Sequence, residues 1–140
     1  MKVRTKPRST LFATAEAMSA SDLDTAQQFQ SAAEDALRTG DFEALAAFLA
    51  PDVECITPQH SLRGVEAMIE ELSRARPAET LEIEFEPAEW KSLGNGRYFC
   101  ELRGLFRSRA TGEVSYSRDR SFELTISEGK VTRYEMRFAG

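Results

Sequence analysis

LEIEFEPAEWKSLGNGRYFCELRGLFRS, residues 81–108, decides the fold of this chain. Leu81, Ile83 and Phe85 alternate with Glu82, Glu84 and Glu86, the two-residue period of a strand that buries one face and wets the other. The strand is expected to continue past Pro87 toward Trp90. Gly94-Asn95-Gly96 then has the composition of a tight hairpin turn. From Arg97 to Arg109 the alternation resumes, with Tyr98, Cys100, Leu102 and Phe106 opposite Arg97, Glu101, Arg103 and Arg107. Thr111-Gly112 and Glu128-Gly129 bound two more long strands, about Glu113 to Ser127 and Lys130 to Phe138. Long strands joined by short turns pair with their neighbours as an antiparallel meander.

Such a sheet has an apolar face that must be covered, and the first half of the chain supplies helices. Leu23, Ala26, Phe29, Ala33, Ala36 and Leu37 recur at three- and four-residue spacing, with Ser21 and Asp24 as a capping box and Gly40 as the stop. A second helix is expected from Asp41, with Phe42, Leu45, Phe48 and Leu49 on one face and Pro51 as its end. Val53 to Thr57 reads as a short strand before Pro58. A third helix, about Gly64 to Ala75, presents Val65, Met68, Ile69 and Leu72 before Pro77 ends it. The expected class is α+β: three N-terminal helices packed on a curved, mainly antiparallel sheet. Gly104, inside a strand, is expected to mark a bend that helps the sheet curve. Residues 1–20 are expected to form a flexible basic tail, and residues 21–140 one domain.

Composition narrows the function. The 140 residues carry 41% hydrophobic and 29% charged side chains, and no apolar run approaches the ~20 residues that span a bilayer, so no membrane partner is expected. Net charge is -5, but Lys2, Arg4, Lys6 and Arg8 against Glu16 put +3 on the first twenty residues and leave -8 on the rest. An acidic domain repels phosphate backbones, which argues against nucleic acid. MKVRTKPRSTLFATAEAMSA begins like a targeting segment, yet Thr14 and Glu16 interrupt its apolar part, so a cytoplasmic location is expected. Cys55 and Cys100 lack paired spacing and each falls in a strand, where a free cysteine acts as a small buried hydrophobe. With one histidine and no ligand spacing of a known type, neither a metal nor another cofactor is expected.

GDFEALAAFLAPDV (40–53), then LRGVEAMIEEL (62–72), then four strands, resembles the nuclear transport factor 2-like superfamily, including SnoaL-like and ketosteroid-isomerase-like proteins. The resemblance covers about residues 21 to 138. It implies a cone-shaped, cystatin-like fold, an apolar cavity for a small, largely apolar molecule, and a homodimer. It also implies a choice of activities, from cofactor-independent isomerases, cyclases and dehydratases to modules that bind or dimerise without chemistry. In ketosteroid-isomerase-like members a carboxylate base precedes the proline that ends the first strand; here Thr57 stands there. A tyrosine on the first helix would fall on Ala33, and a second acid on Arg118 or Asp119. Threonine and alanine cannot replace a base and an oxyanion donor, so ketosteroid isomerisation itself is not expected.

The polar interruption YSRDRSF, Tyr116 to Phe122, is the remaining signal. Plain alternation turns Arg118 and Arg120 inward, as a clamp for a carboxylate or phosphate, and Asp119 outward; a bulge would reverse the two sets. The plainer alternative joins all three to a surface ladder with Glu101, Arg103, Arg133 and Glu135. Candidate proton carriers are therefore Asp119 and His60, the latter in the link after the first strand. Tyr116 or Arg118 would stabilise negative charge. The candidate pocket wall comprises Phe29, Ile56, Thr57, Trp90, Cys100, Tyr116, Arg118, Tyr134 and Met136.

Overall fold

A computed structural model describes residues 10–138, with side chains from residue 22 onward. Helix α1 spans Thr10–Thr39, so it starts well before Ser21 and no helix end lies where the capping box was expected. Of the expected tail, residues 1–9 lie outside the described residues, and the backbone from Thr10 is helical. At the other end Gly40 takes φ 85° and donates its N–H to the Ala36 carbonyl at 2.8 Å, a left-handed stop that glycine adopts without strain. Arg76 reaches across from beyond the third helix to the Leu37 and Arg38 carbonyls at 3.3 and 3.4 Å. Its cation thus meets the negative end of α1.

The second helix, α2, is a single turn, Glu43–Ala46. The expected continuation through Leu49 is instead strand β1, Leu49–Ile56, which pairs in parallel with the last strand at Leu49 and Val131. Tertiary pairing overrides the helical pattern: Val131 donates to the Phe48 carbonyl at 2.8 Å, and Pro51 sits within the irregular stretch between Leu49 and Glu54. Proline is tolerated at such a bulge because no ladder bond is demanded of it there. A short strand not anticipated from sequence, β2 (Ser61–Arg63), pairs antiparallel with β1 and leads into α3, Val65–Ser73.

The remaining strands are β3 (Leu81–Phe85), β4 (Lys91–Gly94), β5 (Arg97–Ser108), β6 (Val114–Ser127) and β7 (Lys130–Phe138). Pro87 lies in a break between β3 and β4, so Trp90 is not in a strand. The order β2-β1-β7-β6-β5-β3, with β4 also on β5, makes one mixed, mainly antiparallel sheet. Helices on one face of that sheet give the α+β class. The core lies between them: Phe29 and Ala36 of α1, Met68 of α3, and Val53, Cys55, Leu124 and Val131 from the sheet are all almost fully buried. Register shifts between Phe106 and Arg107, and between Thr125 and Ile126, supply the bulges that curve the long strands. Gly104 is not one of them. It stays in register opposite Arg118, and its missing side chain makes room for the Phe85 ring, 3.4 Å from where a Cβ would stand.

Candidate functional site

The core does not fill the whole space under the sheet. Toward the Phe106 and Phe138 ends of β5 and β7 it opens into a cavity of about 330 Å³, bounded by α1, α3 and the inner faces of β3, β5, β6 and β7. Its wall is mainly apolar, with Phe29, Leu72, Trp90, Leu102, Phe122 and Met136 contributing from different elements. Its polar members are Gln30, Thr57, Gln59, Glu71, Arg74, Arg118, Arg120 and Tyr134. An apolar chamber with few, convergent polar groups is the usual form of a small-molecule site.

Strand alternation explains who is inside. On β1 the inward series is Val53, Cys55 and then Thr57, so Ile56 points away and does not line the cavity. On β5 the inward series is Tyr98, Cys100, Leu102, Gly104 and Phe106. Cys100 lies on the correct face but at the packed end, in the core, so it too is outside the cavity wall. Phe29, Thr57, Trp90, Arg118, Tyr134 and Met136 do line the cavity. Tyr116 does not: it is exposed beside the bulge at the start of β6 and stacks flat on Phe106, ring centroids 4.4 Å apart.

Both expected proton carriers are outside. Asp119 stands directly opposite Arg103 in the β5–β6 register and takes both arms of that guanidinium at 2.7 and 3.2 Å on the outer face. The bulge that would have turned it inward occurs farther along, beside Phe106, so plain alternation holds at 118–120. Arg103 beside it holds the Asp119 carboxyl below the ordinary carboxylate range. His60 is exposed in the turn between β1 and β2, where its own N–H and carbonyl are both bonded to Thr57. Thr57 builds that turn. Its Oγ1 accepts the N–H groups of Gln59 and His60 at 3.3 and 3.0 Å, and its own N–H donates to the His60 carbonyl at 2.8 Å.

Two polar groups inside stand out, Tyr134, expected in the wall, and Glu71, not anticipated from sequence. Tyr134, on the inner face of β7, is only 6% exposed and packs its ring against Phe29 and Phe122 at 6.2 and 5.9 Å. Among the described residues its hydroxyl has no hydrogen-bond partner. Burial pushes its ionisation far above the ordinary tyrosine value, so it remains a hydrogen-bond donor at any working pH. Glu71 of α3 is the second. Its side chain is 12% exposed and bonds to Arg74 at 2.6 Å, while Arg74 itself extends to solvent. Its negative charge reaches both Tyr134 and Cys55, whose thiol is pushed up to about 11 mainly by burial. Glu71 was readable as the residue three after Met68, at the margin of the apolar stripe of α3. Among the described residues, no three of His, Cys, Asp and Glu gather closely enough to hold a metal ion.

With this geometry in hand, comparison with known proteins is decisive for the family. The family model described as the SnoaL-like domain matches residues 29–134. The chain belongs to the SnoaL-like domain family. It is thereby a nuclear transport factor 2-like domain, and solved structures of that superfamily share the fold. A nuclear transport factor 2-like protein from Anabaena variabilis superposes with a TM-score of 0.71 at 17% identity, over 86% of this chain and 90% of that one. A Bacillus subtilis protein provisionally named an isomerase gives 0.66 at 11% identity, over 84% and 88%. One from Xanthomonas campestris pv. campestris, provisionally named a polyketide cyclase, gives 0.63 at 20% identity, over 84% and 93%. At these identities the likeness establishes the cone fold. No curated protein matches the chain.

Of the residues singled out by resemblance, Thr57, Ala33 and Arg118 stand on the inner side of the fold. All three line the cavity, and none supplies an acid or an oxyanion-stabilising tyrosine. No helix of the described residues is long and apolar enough to cross a membrane.

Proposed function

We propose that this SnoaL-like domain binds a small, largely apolar molecule in its cavity and moves a proton on it without a cofactor. One observation carries the reading: Tyr134, buried and with no hydrogen-bond partner for its hydroxyl among the described residues, lines the same chamber as the nearly buried carboxylate of Glu71. Leaving a buried hydroxyl unpaired costs about 1–3 kcal/mol, a cost that a bound oxygen acceptor would remove. In the chemistry that fits, Glu71 takes a proton from carbon and returns it elsewhere on the same molecule. Tyr134 donates to the oxygen on which negative charge collects. Isomerisation, cyclisation and dehydration all begin this way.

A second reading, binding without chemistry, is favoured by one contact: Arg74 already engages Glu71 at 2.6 Å. Binding is tested by a thermal-shift screen of steroids, polycyclic polyketides and small aryl acids and amides against the full chain. Glu71→Gln then separates the two readings. Turnover of a hit that falls at least a hundredfold, with binding kept, supports proton transfer; binding with no turnover in either protein supports the module. A screen in which nothing raises the melting temperature contradicts both.

A further inference from the structure

Arg118 and Arg120 are alternate residues of β6, so both side chains stand on the cavity face, with Cα atoms about 7 Å apart. Neither has a carboxylate within ion-pair reach among the described residues, in a chain of net charge -5. Arg118 lies instead over the Phe106 ring at 4.7 Å and near the Tyr116 ring at 5.6 Å. Arg120 lies over the Phe138 ring at 4.4 Å and donates a single hydrogen bond to the Asp119 carbonyl at 3.2 Å. Stacking fixes each guanidinium plane but uses none of its five N–H donors. Burial, and then the charge of Arg118, draw the ionisation of Arg120 below the ordinary arginine value. Two like charges are therefore held together at a partly desolvated wall, an arrangement that an anion would relieve.

We propose that the ligand of this cavity carries a carboxylate, held between Arg118 and Arg120 at the Phe138 end, with its apolar body lying toward Trp90 and Tyr134. The assignment rests on the binding reading above and names its ligand class. A carboxylate fits because it is planar, offers one oxygen to each guanidinium and brings a single negative charge into an otherwise apolar chamber. A phosphate would bring up to two charges and a higher desolvation cost.

The test is titration of the full chain with 2-naphthoate, the neutral and similarly shaped 2-naphthamide, and 2-naphthyl phosphate, followed by tryptophan fluorescence or calorimetry. We expect the carboxylate to bind about tenfold tighter than the amide or more, which corresponds to about 1.4 kcal/mol. Arg118→Gln and Arg120→Gln should each remove most of that advantage and leave the amide unchanged, with far-UV circular dichroism confirming the fold. Arg103→Gln, on the outer face, should change neither. Equal binding of carboxylate and amide, or an advantage that survives both substitutions, overturns the carboxylate assignment while cavity binding stands. Phosphate binding tighter than carboxylate also overturns it. If none of the three probes binds, the binding reading fails and the assignment falls with it.

Discussion

The two faces of the sheet carry arginine in opposite ways. On the outer face Arg97 meets Glu123 at 2.9 Å, Arg103 meets Asp119 at 2.7 Å, Arg107 meets Glu84 at 2.7 Å and Arg137 meets Glu135 at 2.6 Å. On the inner face Arg118 and Arg120 lie on rings, with no carboxylate in ion-pair reach among the described residues. The same strand, β6, supplies Asp119 to the first arrangement and its two neighbours to the second. The arginines of the outer ladder are 38–61% exposed, and pairs with so solvated a partner contribute little to stability. The inner cations are partly desolvated and have donors to spare. It is this open inner face that the proposal above assigns to the carboxylate of a ligand.

Substitutions that separate packing from site groups sharpen this contrast. The largest effect is expected at the packed end of the inner face. Leu124→Ala, in the core and outside the cavity wall, should lower unfolding free energy in urea by about 2–5 kcal/mol, because a fully buried side chain leaves a void that cannot close. Loss near zero would mean that the core is not packed as described.

Alkaline pH comes next. Burial raises both Cys55 and Cys100 to about 11, so the unfolded chain releases those protons first. Their contribution is whole below the ordinary thiol value of about 8.5 and is lost as pH rises toward about 11. Tyr134, raised still further, acts with the same sign above the ordinary tyrosine value. Urea midpoints should therefore fall across this window, and less so in Cys55→Ser/Cys100→Ser after its own neutral-pH loss is subtracted. An equal slope in both proteins would contradict the burial of the thiols.

Tyr134→Phe should leave stability unchanged or raise it by up to about 1 kcal/mol, because the hydroxyl removed has no partner to lose among the described residues. Turnover or affinity for an oxygen-bearing ligand should fall. Clear destabilisation would assign the hydroxyl to the architecture instead.

The smallest effect is expected on the outer face. Asp119→Asn should leave ligand binding unaltered and change stability least of all. What it does change has a definite sign: the folded carboxyl is held below its ordinary value, so its contribution exists above that value and is lost as pH falls through the depressed one. The variant and the parent should converge in strong acid. Loss of activity in Asp119→Asn at neutral pH would overturn the outward placement.

Much of the sheet was legible because its signals are local. Gly94-Asn95-Gly96, Gly112 and Gly129 fix the turns, with Asn95 and Glu128 also at positive φ, and between them alternation names each face. Arg118 and Arg120 inward with Asp119 outward is the arrangement that plain alternation gives, one of those the sequence left open. What failed depended on partners distant in sequence. Phe48 and Leu49 match a helical stripe, and only the arrival of Val131, bonded to the Phe48 carbonyl, starts β1 at Leu49. Ser61–Arg63 is too short to show a period and exists because β1 is beside it. His60 and Asp119 drew attention as chemical types, yet placement is set by register, which put one in a solvated turn and the other on the ladder. Glu71 went unremarked because acids at the edge of an apolar stripe usually face water. Only the closure of α3 over the sheet makes it an inner group.

The most direct test of the contrast is where a ligand lodges. With methionine methyl groups labelled with carbon-13, 2-naphthoate or 2-naphthamide bound to the full chain should give intermolecular nuclear Overhauser effects to the Met136 methyl, which lines the cavity, and to the Tyr134 ring. The Met68 methyl, fully buried in the core, should give none. Effects confined to exposed side chains such as Leu93, with Met136 silent, would contradict the account.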